Sequence, residues 1–296
     1  MSDLAGRYRL GDVIGTGGTA TVYRARDLAL GVERAVKVLR VDSLGADAQR
    51  ARLRSEARAM ARVTHLNILR VYDVGTDGDQ DFVVMELAAG GSLQDRLDEH
   101  GPLSPVVASR YALQVLAALA AAHDAGVIHR DVKPQNVLLD SQGVAMLADF
   151  GIALLADGFE SRHTRVGVAM GSMTYMPPEQ RLDARGVGAG ADIYACGATL
   201  YALLTGASPV DLFLAAPGSV RWEDVPEPLR PVIQRATRLI PEERWGSARE
   251  MASALLEAMA QVPEDPLGHP ADDQSWSVVK DRVLTSLSLP GSDLPS

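Results

Sequence analysis

Residues 15 to 22 read Gly15-Thr16-Gly17-Gly18-Thr19-Ala20-Thr21-Val22. A glycine cluster is weak evidence alone, because many such matches are plain turns. The residues immediately downstream decide between the readings. A dinucleotide-binding glycine turn opens a helix, whereas this one runs into Thr21, Val22 and Tyr23, which prefer strands. The glycines therefore sit at a hairpin tip, where exposed backbone N–H groups can lie over phosphates. Further along, Lys37 stands in Ala35-Val36-Lys37-Val38, inside an apolar strand where a cation is costly unless paired. The spacing predicts a helix over Ala46 to Val63, on which Leu53, Glu56, Ala57 and Met60 share one face and Arg50, Arg54, Arg58 and Arg62 form an adjacent stripe. Glu56 is thus a carboxylate among apolar residues. Either it pairs with Lys37 and holds the ammonium against a nucleotide phosphate, or it pairs with a neighbouring arginine on a surface helix. The arginine stripe reads as a solvated face.

These side chains need a frame, and the periodicities supply one. Tyr8 to Ile14, Thr21 to Ala25, Arg34 to Val41 and Asp81 to Glu86 have strand length and composition. From Ser92 onward the chain turns helical, most clearly over Ser104 to Ala125, Ala191 to Thr205, Pro228 to Leu239 and Ser247 to Ala260, with Ser104 and Pro105 as N-cap and first-turn residues. An α+β chain with a β-rich half before an α-rich half implies two lobes joined near Ala88-Ala89-Gly90-Gly91. The expected divisions are an extension over 1–7, a small lobe over 8–87, a large lobe over 88–261, and a Pro-rich linker and tail over 262–296. In that tail Trp276, Val279, Val283 and Leu287 have near-helical spacing. They could pack on the large lobe, bind a partner, or be an accident of a disordered end.

Composition narrows the class. Of 296 residues, 47% are hydrophobic and 23% charged, as in soluble globular proteins. Twenty-nine Lys plus Arg against 38 Asp plus Glu give a net charge of −9, which argues against a nucleic-acid partner. The single cysteine, Cys196, forbids a disulfide within the chain and fits a reducing compartment. MSDLAGRYRL lacks the apolar run of a signal peptide. The best apolar stretch, Tyr111 to Ala122, is short for a membrane span and carries Gln114. A cytoplasmic protein without a membrane span is expected. The only lysines are Lys37, Lys133 and Lys280; in so arginine-biased a chain, a position that keeps a lysine points to a need for a compact ammonium.

Residues 129 to 136 read His129-Arg130-Asp131-Val132-Lys133-Pro134-Gln135-Asn136, and 149 to 151 read Asp149-Phe150-Gly151. With the upstream Lys37, in this order and spacing, the chain resembles the eukaryotic-type (Hanks-type) Ser/Thr protein kinases, closest in character to the bacterial ones. The resemblance runs from about Tyr8 to Met259. It implies a bilobal fold, ATP as phosphoryl donor, Mg²⁺ (or Mn²⁺ in its place), and protein acceptors carrying Ser or Thr. Phosphoryl transfer has a loose transition state, so positioning and charge neutralisation do most of the work. By the resemblance, Asp131 accepts the acceptor hydroxyl's proton and Lys133 steadies the transferring group. Asn136 and Asp149 hold the metal through oxygen donors, and Lys37, paired with Glu56, holds the ATP phosphates beneath Gly15, Gly17 and Gly18. Met85 resembles the gatekeeper. Glu86 and Ala88 would present backbone groups to adenine, Val22, Ala35 and Leu138 would sandwich its ring, and Ser92 lies near a ribose contact. Asp192 would brace the catalytic loop, and Arg244 would pair with Glu179 of Pro177-Pro178-Glu179.

Three positions depart from the pattern. Ala20 replaces the third glycine, Ser172 stands at the usual threonine, and Pro209 to Glu227 is irregular where a substrate-docking helix is common. Arg130 beside the base implies a phosphate from the activation segment, with Thr164 the first candidate and Ser161 behind it. A constitutively ordered segment is the simpler alternative. Two further readings compete with an active kinase that autophosphorylates: a pseudokinase scaffold binding nucleotide or partner without turnover, and a small-molecule phosphotransferase. The intact Lys37, Asp131, Asn136 and Asp149 oppose the first, and Lys133 with the long activation segment opposes the second. Self-association through the small lobe is a further expectation.

Overall fold

Dense β-branched and aromatic residues give the first half its strands. In this computed structural model, which describes residues 3–17, 20–39, 63–150, 173–183, 186–263 and 270–289, they pair as one antiparallel sheet. Its strands are β1 (Asp3–Leu4), β2 (Tyr8–Thr16), β3 (Ala20–Asp27), β4 (Val32–Leu39), β5 (Val71–Asp77) and β6 (Gln80–Met85), in the order β1-β2-β3-β4-β6-β5. Part of the expected N-terminal extension is thus a sheet strand, and Leu4 is buried in the small-lobe core. The helix expected over 46–63 lies outside the described residues except for Val63, which is not helical.

Alternation along the strands gives the sheet two different faces. Val36, Val38, Phe82 and Val84 point one way and join Leu4, Tyr8 and Ala25 in an apolar cluster. Ala35, Val83 and Met85 point the other way, toward Leu69, Met146 and Ala148 of the large-lobe side. Lys37 shares that second face, opposite Val22 on β3 and Val83 on β6. Strand β5 is an addition to the expected set, because Asp73, Gly75 and Asp77 break its alternation. Gly75 lies opposite Phe82, and a Cβ there would come within 2.4 Å of the ring, so the glycine makes room for the aromatic cover.

The large lobe is built on two apolar helices. Among its described elements are α1 (Leu93–His100), α2 (Pro105–Asp124), the hairpin β7 (Val137–Leu139) with β8 (Ala145–Leu147), α3 (Pro178–Leu182), α4 (Ala189–Thr205), α5 (Arg230–Ala236), α6 (Ala248–Met259) and α7 (Pro270–Ser286). Ser104 caps α2, its hydroxyl accepting from the Val107 amide, and Pro105 opens the first turn. At 20 residues α2 is longer than the Tyr111–Ala122 stretch suggests, and long and apolar enough to cross a membrane. Its side chains from Val107 to Leu119 are instead buried in the core against α4 and α6. Helix α5 is shorter than its periodicity predicts, because a 3-10 turn occupies Glu227–Leu229 and Thr237 closes the last turn with its hydroxyl on the Ile233 carbonyl. Pro209 to Glu227 is irregular as expected, made of 3-10 turns at Leu212–Leu214 and Val220–Trp222, with Trp222 buried on Tyr201. The tail helix α7 packs on α2: Trp276, Val279, Val283 and Leu284, with Leu287 just past its end, are each at most 1% exposed.

Candidate active site

The segment 129–136 is shaped by a buried carboxylate. Asp192, in the first turn of α4 and fully buried, accepts from the His129 amide (2.8 Å) and the Arg130 amide (2.7 Å), and lies 2.8 Å from His123 Nε2. Arg130 has φ +68°, a left-handed conformation that costs a non-glycine residue about 1–2 kcal/mol; the two amide bonds offset that cost. His129 is fully buried, its Nδ1 accepting from the Asp131 amide and its Nε2 donating to the Ala148 carbonyl, while the Phe150 ring packs against it tilted by 56°, centroids 4.4 Å apart. These partners fix a neutral imidazole with the proton on Nε2.

The result is a small polar cluster. Lys133 Nζ donates to both oxygens of Asp131 at 2.9 and 2.8 Å. Asn136 Nδ2 donates to the Asp131 carbonyl (2.7 Å) and to Asp131 Oδ2 (2.9 Å). Across the cleft Lys37 Nζ lies 2.6 Å from Asp149 Oδ1. Asp149 is itself left-handed, at φ +59°, and Arg130 and Asp149 are thus two strained residues at one site. Burial acts to raise the Asp149 carboxyl, but the charge and hydrogen bond of Lys37 more than offset it and hold the group below the usual carboxylate range.

With both Asn136 amide hydrogens spent on Asp131, its carbonyl oxygen remains as a donor beside the ionised Asp149. One amide oxygen with one carboxylate suits a hard cation that keeps several waters and takes its other ligands from phosphate. The residues fit a hard divalent cation of this kind. Among the described residues no cluster of three His, Cys, Asp or Glu could hold a metal by itself.

The apolar wall between the lobes gathers the other expected residues. Ala35 and Met85 are buried together with Val83, Leu69, Met146 and Ala148, and Val22, Ala88, Leu87 and Leu138 line the same cluster. The Glu86 amide donates to the Arg70 carbonyl, so this residue is tied back into the small lobe rather than offering its N–H to a ligand. At the lobe junction Gly90 approaches the Asp140 carbonyl so closely that a Cβ would sit 2.5 Å from the oxygen. Gly15 pairs with Val22, and the Gly17 amide donates to the Ala20 carbonyl, closing the hairpin before residues 18 and 19.

Ser92 is otherwise employed than at a ribose: its hydroxyl caps α1 in a reciprocal box with Asp95. Arg244, with a fully buried side chain, grips Glu179 with two bonds of 2.6 and 2.8 Å. Arg130 Nε is buried and has no hydrogen-bond partner among the described residues. Gly18, Glu56, Ser161, Thr164 and Ser172 lie outside the described residues. Cys196 is buried in α4, where burial first and then Asp192 push its thiol up to about 12, so it is no nucleophile.

Sequence reasoning missed Asn67. Its Nδ2 donates to Gln114 Oε1 (3.1 Å) and to the Ala145 carbonyl (2.8 Å), tying the 65–69 turn to α2 and β8. The signal was Gln114, a polar residue inside an apolar helix that needs a partner once buried.

The buried histidines make stability depend on pH. Burial, opposed by Asp192, drives His129 below its ordinary value of 6.5, and His65 is lowered by burial and by Arg282. The unfolded chain binds a proton near 6.5 that the fold refuses, so stability is complete above that pH and falls below it. Unfolding free energy is expected to be lower at pH 5.5 than at 7.5 by up to about 1.4 kcal/mol from His129, with a smaller part from the half-solvated His65. Urea titrations at the two pH values check this; equal stabilities would show that His129 is protonated in the fold.

The protein kinase domain family matches residues 8–260. Serine/threonine-protein kinase PrkC of Bacillus subtilis is 36% identical over 269 residues, covering 86% of this chain and 41% of PrkC. Serine/threonine-protein kinase PknL of Mycobacterium tuberculosis is 37% identical over 298 residues, covering 95% of this chain and 74% of PknL. The crystal structure of the M. tuberculosis PknI kinase domain superposes with a TM-score of 0.70 at 30% identity, covering 87% of this chain and 98% of that one. The chain thus spans about two fifths of the length of PrkC and three quarters of PknL. It belongs to the protein kinase domain family, in the branch of the bacterial serine/threonine kinases.

Proposed function

We propose that this chain transfers the γ-phosphate of ATP to Ser or Thr hydroxyls of proteins, its own activation segment included. The observation that carries this reading is Asp131 held between Lys133 and Asn136, together with the Lys37–Asp149 ion pair. The acceptor oxygen bonds to the γ-phosphorus as the bond to the bridging oxygen breaks, and ADP leaves. Asp131 orients the hydroxyl and takes its proton. Lys133 neutralises charge that develops on the transferring group. Lys37 exchanges part of its hold on Asp149 for the phosphates, with Glu56 as its further partner. Val22, Ala35, Met85, Ala88 and Leu138 wall the base, and Gly15, Gly17 and Gly18 cover the phosphates. Mg²⁺ held by Asn136 and Asp149 supplies charge neutralisation between the phosphates when bound.

A phosphate on Thr164, or on Ser161, would meet Arg130, whose buried Nε has no hydrogen-bond partner among the described residues. Purified protein incubated with labelled ATP, Mg²⁺ and a generic basic protein is expected to label both on Ser and Thr, with Thr164 or Ser161 among its own mapped sites. Predominant phosphotyrosine, or no incorporation at any Mg²⁺ or Mn²⁺ concentration, would overturn the reading and leave the nucleotide-binding scaffold.

A further inference from the structure

The family match ends at residue 260, yet α7 lies beyond it, and four of its apolar side chains, with Leu287 just past its end, are buried in the core that α2 shares. We propose that α7 is a clamp on the back of the catalytic frame and that Trp276 is the positioning residue through which it holds the strand leading into Asp149.

The contacts form a continuous path. The Trp276 ring is 1% exposed and meets the Arg110 guanidinium at 5.9 Å on α2. One turn further along α2, Gln114 is also 1% exposed, and its Nε2 donates back to the Arg110 carbonyl. Its Oε1 receives the Asn67 side chain and the Ala145 amide (2.9 Å). The Asn67 carbonyl accepts from the Leu147 amide (2.8 Å), and the Leu147 carbonyl accepts from the Leu69 amide (3.0 Å). Asp149 is two residues beyond Leu147. At the same turn His65 Nδ1 accepts from the Asn67 amide, and the Arg282 charge on α7 disfavours protonation of that ring. Val63 and Leu66, flanking His65, pack against the apolar cluster that contains Trp276. So α7 reaches Asn67 through Arg110 and Gln114 of α2, and Asn67 is bonded to the strand that aims Asp149.

Trp276 acts here by its ring faces, since its Nε1 is buried without an acceptor among the described residues. A phenylalanine should therefore serve where an alanine does not. In the full chain, Trp276→Ala is expected to lower kcat for peptide phosphorylation about tenfold, with KM for the peptide within about twofold, and Trp276→Phe to stay within about twofold of wild type in both. Amide hydrogen exchange on the same samples should speed up at Leu69 and Leu147 in Trp276→Ala and remain unchanged in α6, whose first turn is anchored through Arg249 to Asp124 at the far end of α2. Val283→Ala, a milder loosening of the same helix, should show the same pattern at smaller amplitude and serves if Trp276→Ala does not fold. Wild-type exchange at Leu69 and Leu147, or equal acceleration in α6, would overturn the proposal, because α7 would then be a remote or merely general stabiliser. The kinetic arm rests on the kinase reading. The exchange arm needs no turnover, so a failure of that reading and a failure of this one are distinguishable.

Discussion

Asp131→Asn is expected to lower kcat by about 10²–10⁴-fold, or roughly 3–5 kcal/mol in the barrier, while ATP affinity in Mg²⁺ changes by less than about threefold. The substitution keeps the shape of the side chain and one acceptor oxygen for Lys133, so the cluster should keep its packing. It removes the carboxylate placed to take the acceptor's proton, and it leaves the Lys133 ammonium without that counter-charge. Because Asp131 touches neither Lys37 nor the apolar wall, nucleotide binding should persist. Steady-state kinetics on one peptide, with calorimetric titration of ATP and matched thermal unfolding, check the split. A loss below tenfold would mean that Asp131 is not the proton acceptor, and a parallel loss of ATP affinity would mean that it supports the nucleotide instead.

Asp192→Ala should cost about 3–5 kcal/mol of stability, because two buried amides lose their acceptor at about 1–3 kcal/mol each and the His123 contact goes with them. The effect on turnover should exceed what unfolding explains. Arg130 is held left-handed by those amide bonds, and once released it can relax and carry Asp131 with it. Asp192→Asn should fall between, since its amide nitrogen opposes an N–H where the carboxylate accepted one. Urea unfolding together with kcat measured well below the unfolding transition separates the two effects. An alanine variant within about 1 kcal/mol of wild type would show that the carboxylate's bonds are replaced by water.

Local pattern carries the fold where a segment's own residues decide its structure. The strands around Lys37 and the helices around Tyr111 and Leu200 come from alternation and from apolar periodicity. Segments whose structure is decided elsewhere leave no such trace. Strand β5 exists because Phe82 covers Gly75, and β7 and β8, at three residues each, are too short to show a period. At the site, the residue types of 129–136 and 149–151 were legible through family resemblance, as was the role of Asp192. What no spacing could show is the pairing of Lys37 with Asp149, 112 residues away. The same holds for the meeting of Asn67 with Gln114, which turns an interruption in an apolar helix into a structural bond.

The Asn67–Leu147–Leu69 hydrogen bonds also limit how the cleft can move. The lobes are joined at the Glu86–Gly91 strap in front and again at this seam behind, where a small-lobe turn is stitched to a large-lobe strand. Two separated attachments define an axis, and a body held at two points rotates about the line between them. Among the described residues these two attachments flank the wall around Met85 and Met146, so relative displacement of the lobes is expected to be smallest there.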